Sequence, residues 1–194
     1  MEDVEGIADT AQRIVDLYYK NENKPKGRGV QVTIGCACFV PKPHTAFQWE
    51  GQISMEEYHR RVKLLRENMR GRSISYNWHD PDTSFLEAVF ARGDRRVADV
   101  IEHAWRAGAR FDSWSEYFSL DRWMRAFEAC GLDPAFYANR AREKDEVLPW
   151  SRVSTGVRPE FLWKEREAAY QAVITPDCRR QCTGCGANLL LEKG

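Results

Sequence analysis

The sequence predicts an α/β chain on three observations. Residues 30–40 and 73–79 alternate as strands do, a helical stripe lies between them, and the chain after Asp80-Pro81 keeps the three-to-four-residue period of helices. Strand, helix and strand at that spacing make a βαβ unit, with parallel strands joined by a right-handed crossover.

The first element is a helix over residues 1–20, in which Val4, Ile7, Ala11, Ile14 and Tyr18 recur every three or four positions. No Ser, Thr, Asp or Asn precedes it as a cap, as expected of a chain cut from something longer. A polar loop with Pro25, Gly27 and Gly29 leads into the strand over 30–40. Val30, Val32, Ile34, Cys36, Cys38 and Val40 share one of its faces, which makes Cys36 and Cys38 small buried residues rather than ligands. Gln31, Thr33, Gly35 and Ala37 take the other. Pro41 and Pro43 then forbid ladder bonds and hold an extended loop.

Ser54 with Glu57 reads as a capping box, opening a helix striped by Met55, Tyr58, Val62, Leu65 and Met69. Its basic residues Arg60, Arg61, Lys63, Arg66 and Arg70 alternate with Glu56, Glu57 and Glu67 at helical pair spacings, the mark of a solvated face. In the second strand Ile74, Tyr76 and Trp78 share one face and Ser73, Ser75, Asn77 and His79 the other. Buried parallel strands usually run apolar on both faces. A polar face on both strands suits a partial barrel with helices outside and a polar ligand inside. Two parallel strands do not make a stable sheet, so the missing partners are expected before Met1 or in another chain.

Downstream, Ser84 with Glu87 and Ser113 with Glu116 read as two more capping boxes. Gly93-Asp94 separates one helix from the next, which runs to Gly108 through Val97, Val100, Ile101, Ala104 and Trp105. The helix from Ser113 turns Tyr117, Leu120, Met124 and Phe127 inward, with Cys130 in the core before Gly131 ends it. Asp133-Pro134 starts a short helix, residues 142–156 are irregular, and Pro159 opens a last helix through Phe161, Leu162, Ala169 and Tyr170, ended by Pro176. His59 and His103 lie mid-helix as surface or core fillers.

Charge and composition exclude several classes. Basic and acidic residues balance at 29 each, so no global field draws the chain to nucleic acid or an anionic membrane. No apolar run approaches the ~20 residues that span a bilayer, and the acidic start Met1-Glu2-Asp3 is unlike a secretory signal. The expectation is a cytoplasmic protein with no membrane partner. In that reducing compartment clustered thiols argue for metal. Three of the six cysteines, Cys178, Cys182 and Cys185, fall within eight residues as C-x3-C-x2-C. Thiolates at this spacing suit an iron–sulfur cluster, and Cys182-Thr183-Gly184-Cys185-Gly186 equally suits a zinc knuckle.

Six phrases in order carry a family resemblance: Phe39-Val40-Pro41-Lys42-Pro43-His44-Thr45, Phe47-Gln48-Trp49, Tyr76-Asn77-Trp78-His79-Asp80-Pro81, Ala91-Arg92-Gly93-Asp94-Arg95-Arg96, Asp133-Pro134-Ala135-Phe136-Tyr137 and Pro176-Asp177-Cys178. Together they resemble the C-terminal half of radical S-adenosylmethionine (SAM) proteins that carry an N-terminal cobalamin-binding-type domain. The resemblance implies the last two strands of a (βα)6 partial TIM-type barrel over residues 1–82, a helical extension over 83–175 and a Cys-rich metal-binding tail over 176–194. It implies that the early strands, the SAM-cluster loop and the cobalamin-type domain precede Met1, so that this chain alone is inactive.

In the intact protein the cofactors would be SAM and a [4Fe–4S] cluster, whose electron cleaves SAM to start radical chemistry on an unknown substrate; cobalamin is left open. Residues at the C-terminal ends of barrel strands face the cofactor. Asn77 and His79 would reach polar atoms of SAM or substrate, and Lys42 and His44 a carboxylate or phosphate. The tail does not follow the first strand, and it has Gly184 where the family's SAM-cluster loop has an aromatic. It therefore reads as a separate site, an auxiliary iron–sulfur cluster or a structural zinc with a fourth ligand from elsewhere. The alternative function is a noncatalytic metal-binding module that engages a protein or nucleic acid through the thiols and Arg179-Arg180, a reading that zero net charge weakens.

Overall fold

A computed structural model describes residues 2–27 and 29–188 and gives a mixed α/β chain, in which the described residues form two parallel strands and seven helices. They divide into two compact units, Met1–Phe39 with Ile53–Ser84, and Val40–Gln52 with Phe85–Gly194. Of the tail expected over 176–194, residues 189–194 lie outside the described residues, as does Met1 of the first helix.

In the first unit β1 (Val32–Cys36) pairs in parallel with β2 (Ile74–Trp78), Val32 opposite Ile74 and Cys36 opposite Trp78. Both strands are five residues long, shorter than the alternation predicts. Burial still alternates out to Val40, but the β1 ladder lasts only as long as β2 supplies partners. Helices α1 (Glu2–Lys20) and α2 (Met55–Asn68) cover one sheet face, and Ala8, Ala11, Val15, Leu65, Ile34 and Ile74 form the core.

The buried face of α1 is therefore Ala8, Ala11 and Val15 with Val4 packed beside them, while Ile7 and Ile14 are exposed. The stripes 4-7-11-14-18 and 4-8-11-15-18 fit the helical period equally well, and the smaller residues face the core. The cap of α2 forms as predicted, with Ser54 Oγ accepting from the Glu57 amide at 3.2 Å. The Glu57 carboxylate is instead taken by Arg60 and Arg61.

Helix α3 (Pro81–Arg92) starts ahead of the expected Ser84 box. Asp80 accepts from the Asp82 amide at 3.2 Å and the Thr83 hydroxyl at 2.9 Å, and Pro81 takes the first helical position, where its missing N–H costs nothing. Ser84 lies buried inside the helix, its hydroxyl on the Asp80 carbonyl.

The second unit holds the C-terminal part of α3 with α4 (Val97–Arg106), α5 (Leu120–Ala129), α6 (Pro134–Ala138) and α7 (Pro159–Tyr170). Val89, Val97, Val100, Ala104, Trp123, Phe127 and Tyr137 belong to its main core. Gly93 lets α4 close on α3, since a Cβ there would lie 2.8 Å from Val97 Cγ2 and 2.9 Å from the Val89 carbonyl. Ile101 and Trp105, expected inside, are exposed.

Helix α5 begins at Leu120 under a Ser119 cap, not at Ser113. The stretch before it turns through Phe111 at φ 57°, and Asp112 accepts from Trp123 Nε1 at 2.9 Å. That bond holds Trp123 inward and leaves Tyr117 and Met124 exposed. Cys130 is partly buried against the core and Gly131 (φ 65°) follows it, as the sequence predicts. The Asp133 cap of α6 also forms, accepting from the Ala135 amide at 2.9 Å. Helix α7 stops well before Pro176, through Ala172 at φ 54° and a bond from the Val173 amide to the Ala168 carbonyl. A smaller core of Trp49, Leu148 and Leu162 packs with Trp150, Phe161 and Trp163. No described helix is long and apolar enough to cross a membrane.

Phe127 is 1% exposed at the centre of the main core. Phe127→Ala is expected to cost about 3–5 kcal/mol, read as a lowered urea midpoint with unchanged slope, whereas Met124→Ala on the exposed side of α5 should move the midpoint little.

Candidate functional site

The predicted cofactor contacts fall in two units. Asn77 and His79 belong to the first, Lys42 and His44 to the second. Asn77 stands opposite Gly35 on the uncovered sheet face, with Thr33 and Ser75 paired two residues earlier on the same face; all four are exposed, and the two hydroxyls lie 3.0 Å apart. His79 follows β2, exposed, with its carbonyl accepting from the Tyr58 hydroxyl at 3.4 Å. On the opposite face burial pushes the Cys36 and Cys38 thiols up, for Cys38 against the pull of nearby Arg61. Raised thiols make poor ligands at neutral pH, in keeping with their reading as core residues.

In the second unit Lys42 is ion-paired to Glu87, both side chains half exposed. His44 sits at φ 58°, a strained conformation for a residue with a Cβ. Its amide donates to Gln48 Oε1 at 3.0 Å, and the same oxygen accepts from Trp150 Nε1 at 2.7 Å. Gln48 is 3% exposed, so a buried amide holds the turn.

The rest of this loop docks on the chain after α6. The Gln52 amide donates to the Ala138 carbonyl at 2.8 Å and the Arg142 amide to the Trp49 carbonyl at 2.7 Å. At Gly51 a Cβ would fall 2.0 Å from the Asn139 carbonyl oxygen, so no other residue fits there without moving backbone.

Two buried arginines lock the same segment. Arg92, fully buried at the end of α3, donates from Nη1 to the Ala138 carbonyl (2.5 Å) and from Nη2 to the Arg140 carbonyl (2.8 Å). Arg142, 7% exposed, donates back to the Arg92 carbonyl at 2.7 Å and to Glu146 at 3.1 Å. Burial, then the neighbouring Arg142 and Arg140 charges, lowers Arg92 to about 10, which leaves it charged at neutral pH. Glu146 also takes a two-pronged pair from Arg140 at 2.6 and 2.8 Å, and that pairing pulls its carboxyl down to about 2.

The tail is docked on the start of α7. The Arg158 amide donates to the Cys185 carbonyl at 2.9 Å, and the Arg158 guanidinium to the Gly184 carbonyl. Gly184 (φ 73°) and Gly186 (φ 98°) bracket Cys185, whose sulfur accepts from the Ala187 amide at 3.5 Å. Glycine turns with an amide on sulfur fit a metal knuckle. Cys182 and Cys178 are exposed thiols, and among the described residues no group of three or more His, Cys, Asp or Glu side chains is gathered to hold a metal ion. The donor chemistry fits a metal, and the Cys185 turn is preformed.

Comparison with known proteins finds no family model, characterised protein or solved structure that matches the chain.

Sequence reasoning missed Gln48, Arg92, Arg142 and Glu146. One signal was available: Arg92 lies three residues beyond Val89 on the buried stripe of α3, and a charge at such a position needs partners.

The Glu146 pairing predicts a pH dependence. With the carboxyl lowered from 4.5 to about 2, the pairing stabilises the fold above the unfolded pKa and is lost as pH falls through about 4 toward about 2. Its side chain is 25% exposed, so solvent screening cuts the contribution to about 1–2 kcal/mol. Urea titrations should show Glu146→Gln less stable than the parent by that amount at pH 7, with the gap narrowing below about pH 4 and closing only as pH falls through about 2.

Proposed function

We propose that the chain is the C-terminal part of a radical SAM enzyme, contributing the last two strands of a (βα)6 partial TIM-type barrel. The observation that supports this most is the uncovered face of β1–β2, where Thr33, Gly35, Ser75 and Asn77 are exposed while the other face is packed by α1 and α2. A parallel pair is stabilised by further strands beside it and by cover on both faces. In this reading the polar face of the two adjacent parallel strands is the inner wall of a barrel that holds a polar ligand.

Asn77 and His79 stand at the C-terminal end of β2, where a barrel presents its ligand contacts. Their role in this reading is to bind and orient SAM. Once bound and cleaved by an electron from the cluster, SAM would supply a radical able to abstract hydrogen from substrate, and Asn77 and His79 would hold it in position. The strands and cluster loop that complete the barrel are partners in this reading, in the same or a separate chain. The substrate is left unnamed by these residues.

A second reading concerns the tail alone and rests on the Cys185 turn docked on Arg158. Cys178, Cys182 and Cys185 would hold an auxiliary iron–sulfur cluster or a structural zinc as thiolates. With or without a barrel, such a site would make the chain a metal-stabilised interaction module.

Two experiments test these readings. The intact reading frame that contains this chain, purified anaerobically and reduced, should convert SAM to methionine and 5′-deoxyadenosine, and Asn77→Ala should raise the KM for SAM several-fold. No 5′-deoxyadenosine from a protein with a reconstituted cluster ends the radical reading. For the tail, anaerobic metal analysis should find either iron with sulfide or zinc near one site per chain, lost in Cys182→Ala. Metal content unchanged by that substitution removes the tail site.

A further inference from the structure

The phrase Ala91-Arg92-Gly93-Asp94-Arg95-Arg96 and the segment after α6 have no role in the barrel reading, yet they border one cleft of about 800 Å³ within the second unit. Five arginines line it: Arg95, Arg96, Arg140, Arg142 and Arg152. Only two carboxylates face them, Asp94 and Glu146. Asp94 is occupied by Arg96 at 2.6 Å, and Glu146 is shared between Arg140 and Arg142. Arg95 and Arg152 have no carboxylate partner among the described residues and are exposed at the cleft.

A second observation is independent of that charge count. Arg142 is more than nine-tenths buried, yet its Nε has no hydrogen-bond partner, and neither has the Nε of Arg140. These nitrogens have no accessible surface, so a ligand in the cleft does not bond them; they leave the arginine charge of the floor partly uncompensated, and an anion nearby offsets it. The apolar side of the cleft is supplied by Phe136, over whose ring Arg140 lies at 4.5 Å, and by Pro149 and Leu148.

We infer that this cleft binds the diphosphate group of a small molecule, with Arg95 and Arg152 as its outer contacts and Arg140 and Arg142 as its floor. Three positive charges remain after the two carboxylates are counted, which matches a diphosphate better than a single carboxylate. Guanidinium groups pair phosphate oxygens two at a time, which lysines do not. The Arg92 bonds to the Ala138 and Arg140 carbonyls fix the floor before ligand arrives, so little ordering is left to oppose binding. This site is independent of the radical reading.

The test is calorimetric titration of the full chain with inorganic pyrophosphate. Arg95 and Arg152 are exposed, so Arg95→Ala and Arg152→Ala should keep the parent melting temperature. Each should weaken pyrophosphate binding tenfold or more, while Arg106→Ala, an exposed arginine outside the cleft, leaves it unchanged. Orthophosphate should bind at least tenfold more weakly than pyrophosphate. The inference is overturned if pyrophosphate gives no saturable binding, or if Arg106→Ala weakens it as much as the cleft substitutions do. It is also overturned if an RNA oligonucleotide without terminal phosphates competes as well as pyrophosphate, which would assign the cleft to a nucleic-acid backbone.

Discussion

The second unit depends on Arg92. A guanidinium with no exposed surface is a structural cost unless its donors are met, because the charge has been taken out of water. Here two of its three nitrogens bond the carbonyls of Ala138 and Arg140, its Nε has no partner among the described residues, and its own carbonyl is held by Arg142. Hydrogen bonds from charged donors contribute about 1.5–3 kcal/mol each when buried. The clamp joins the end of α3 to the chain leaving α6, about fifty residues later, and the loop at 40–52 then docks on that same chain through Gln52, Asn139 and Trp49. Lysine at position 92 would keep the charge but not the planar fork that reaches two carbonyls at once.

That arrangement explains which parts of the fold were legible. The βαβ unit, its parallel direction, the Ser54 and Asp133 caps and the Gly131 helix end all follow from local chemistry, and the structure has each of them. The failures come where two local signals compete. Asp80-Pro81 and Ser84-x-x-Glu87 are both helix starts, and the proline with its capping aspartate wins. Ser113-x-x-Glu116 is a sound box, but Asp112 just before it is bonded by Trp123 and the helix starts at Leu120 under Ser119 instead. On α1 the pattern was right and its phase was not, since alanines and isoleucines fit the same period and only the sheet beneath decides between them.

The candidate sites were legible to different depths. The tail thiols announce themselves by spacing, and Gly184 and Gly186 adopt the positive φ angles that only glycine takes without strain. The arginine cleft was not visible, because its residues come from two stretches some fifty positions apart and a charge on an apolar stripe scores as an exception to a pattern. Two of the phrases that carried the family resemblance, Ala91 to Arg96 and Asp133 to Tyr137, supply residues to that cleft, and Phe47-Gln48-Trp49 holds the loop docked behind it. Backbone-locking residues of this kind are recognisable in a sequence only after their partners are known.

The uncovered sheet face and the docked tail pose opposite physical problems. On the sheet, Thr33, Ser75 and Asn77 leave polar groups exposed where a parallel sheet is ordinarily covered. On the tail the backbone is already fixed: Arg158 holds the carbonyls of Gly184 and Cys185, and the Ala187 amide is aimed at the Cys185 sulfur. A turn ordered in advance has little conformational entropy left to lose on binding anything. The turn is held by the packing of Arg158 against Gly186, where a Cβ would meet Arg158 Cγ at 3.0 Å and the Gly156 carbonyl at 2.9 Å. The glycine after the last cysteine is required by that contact as much as by any ligand geometry.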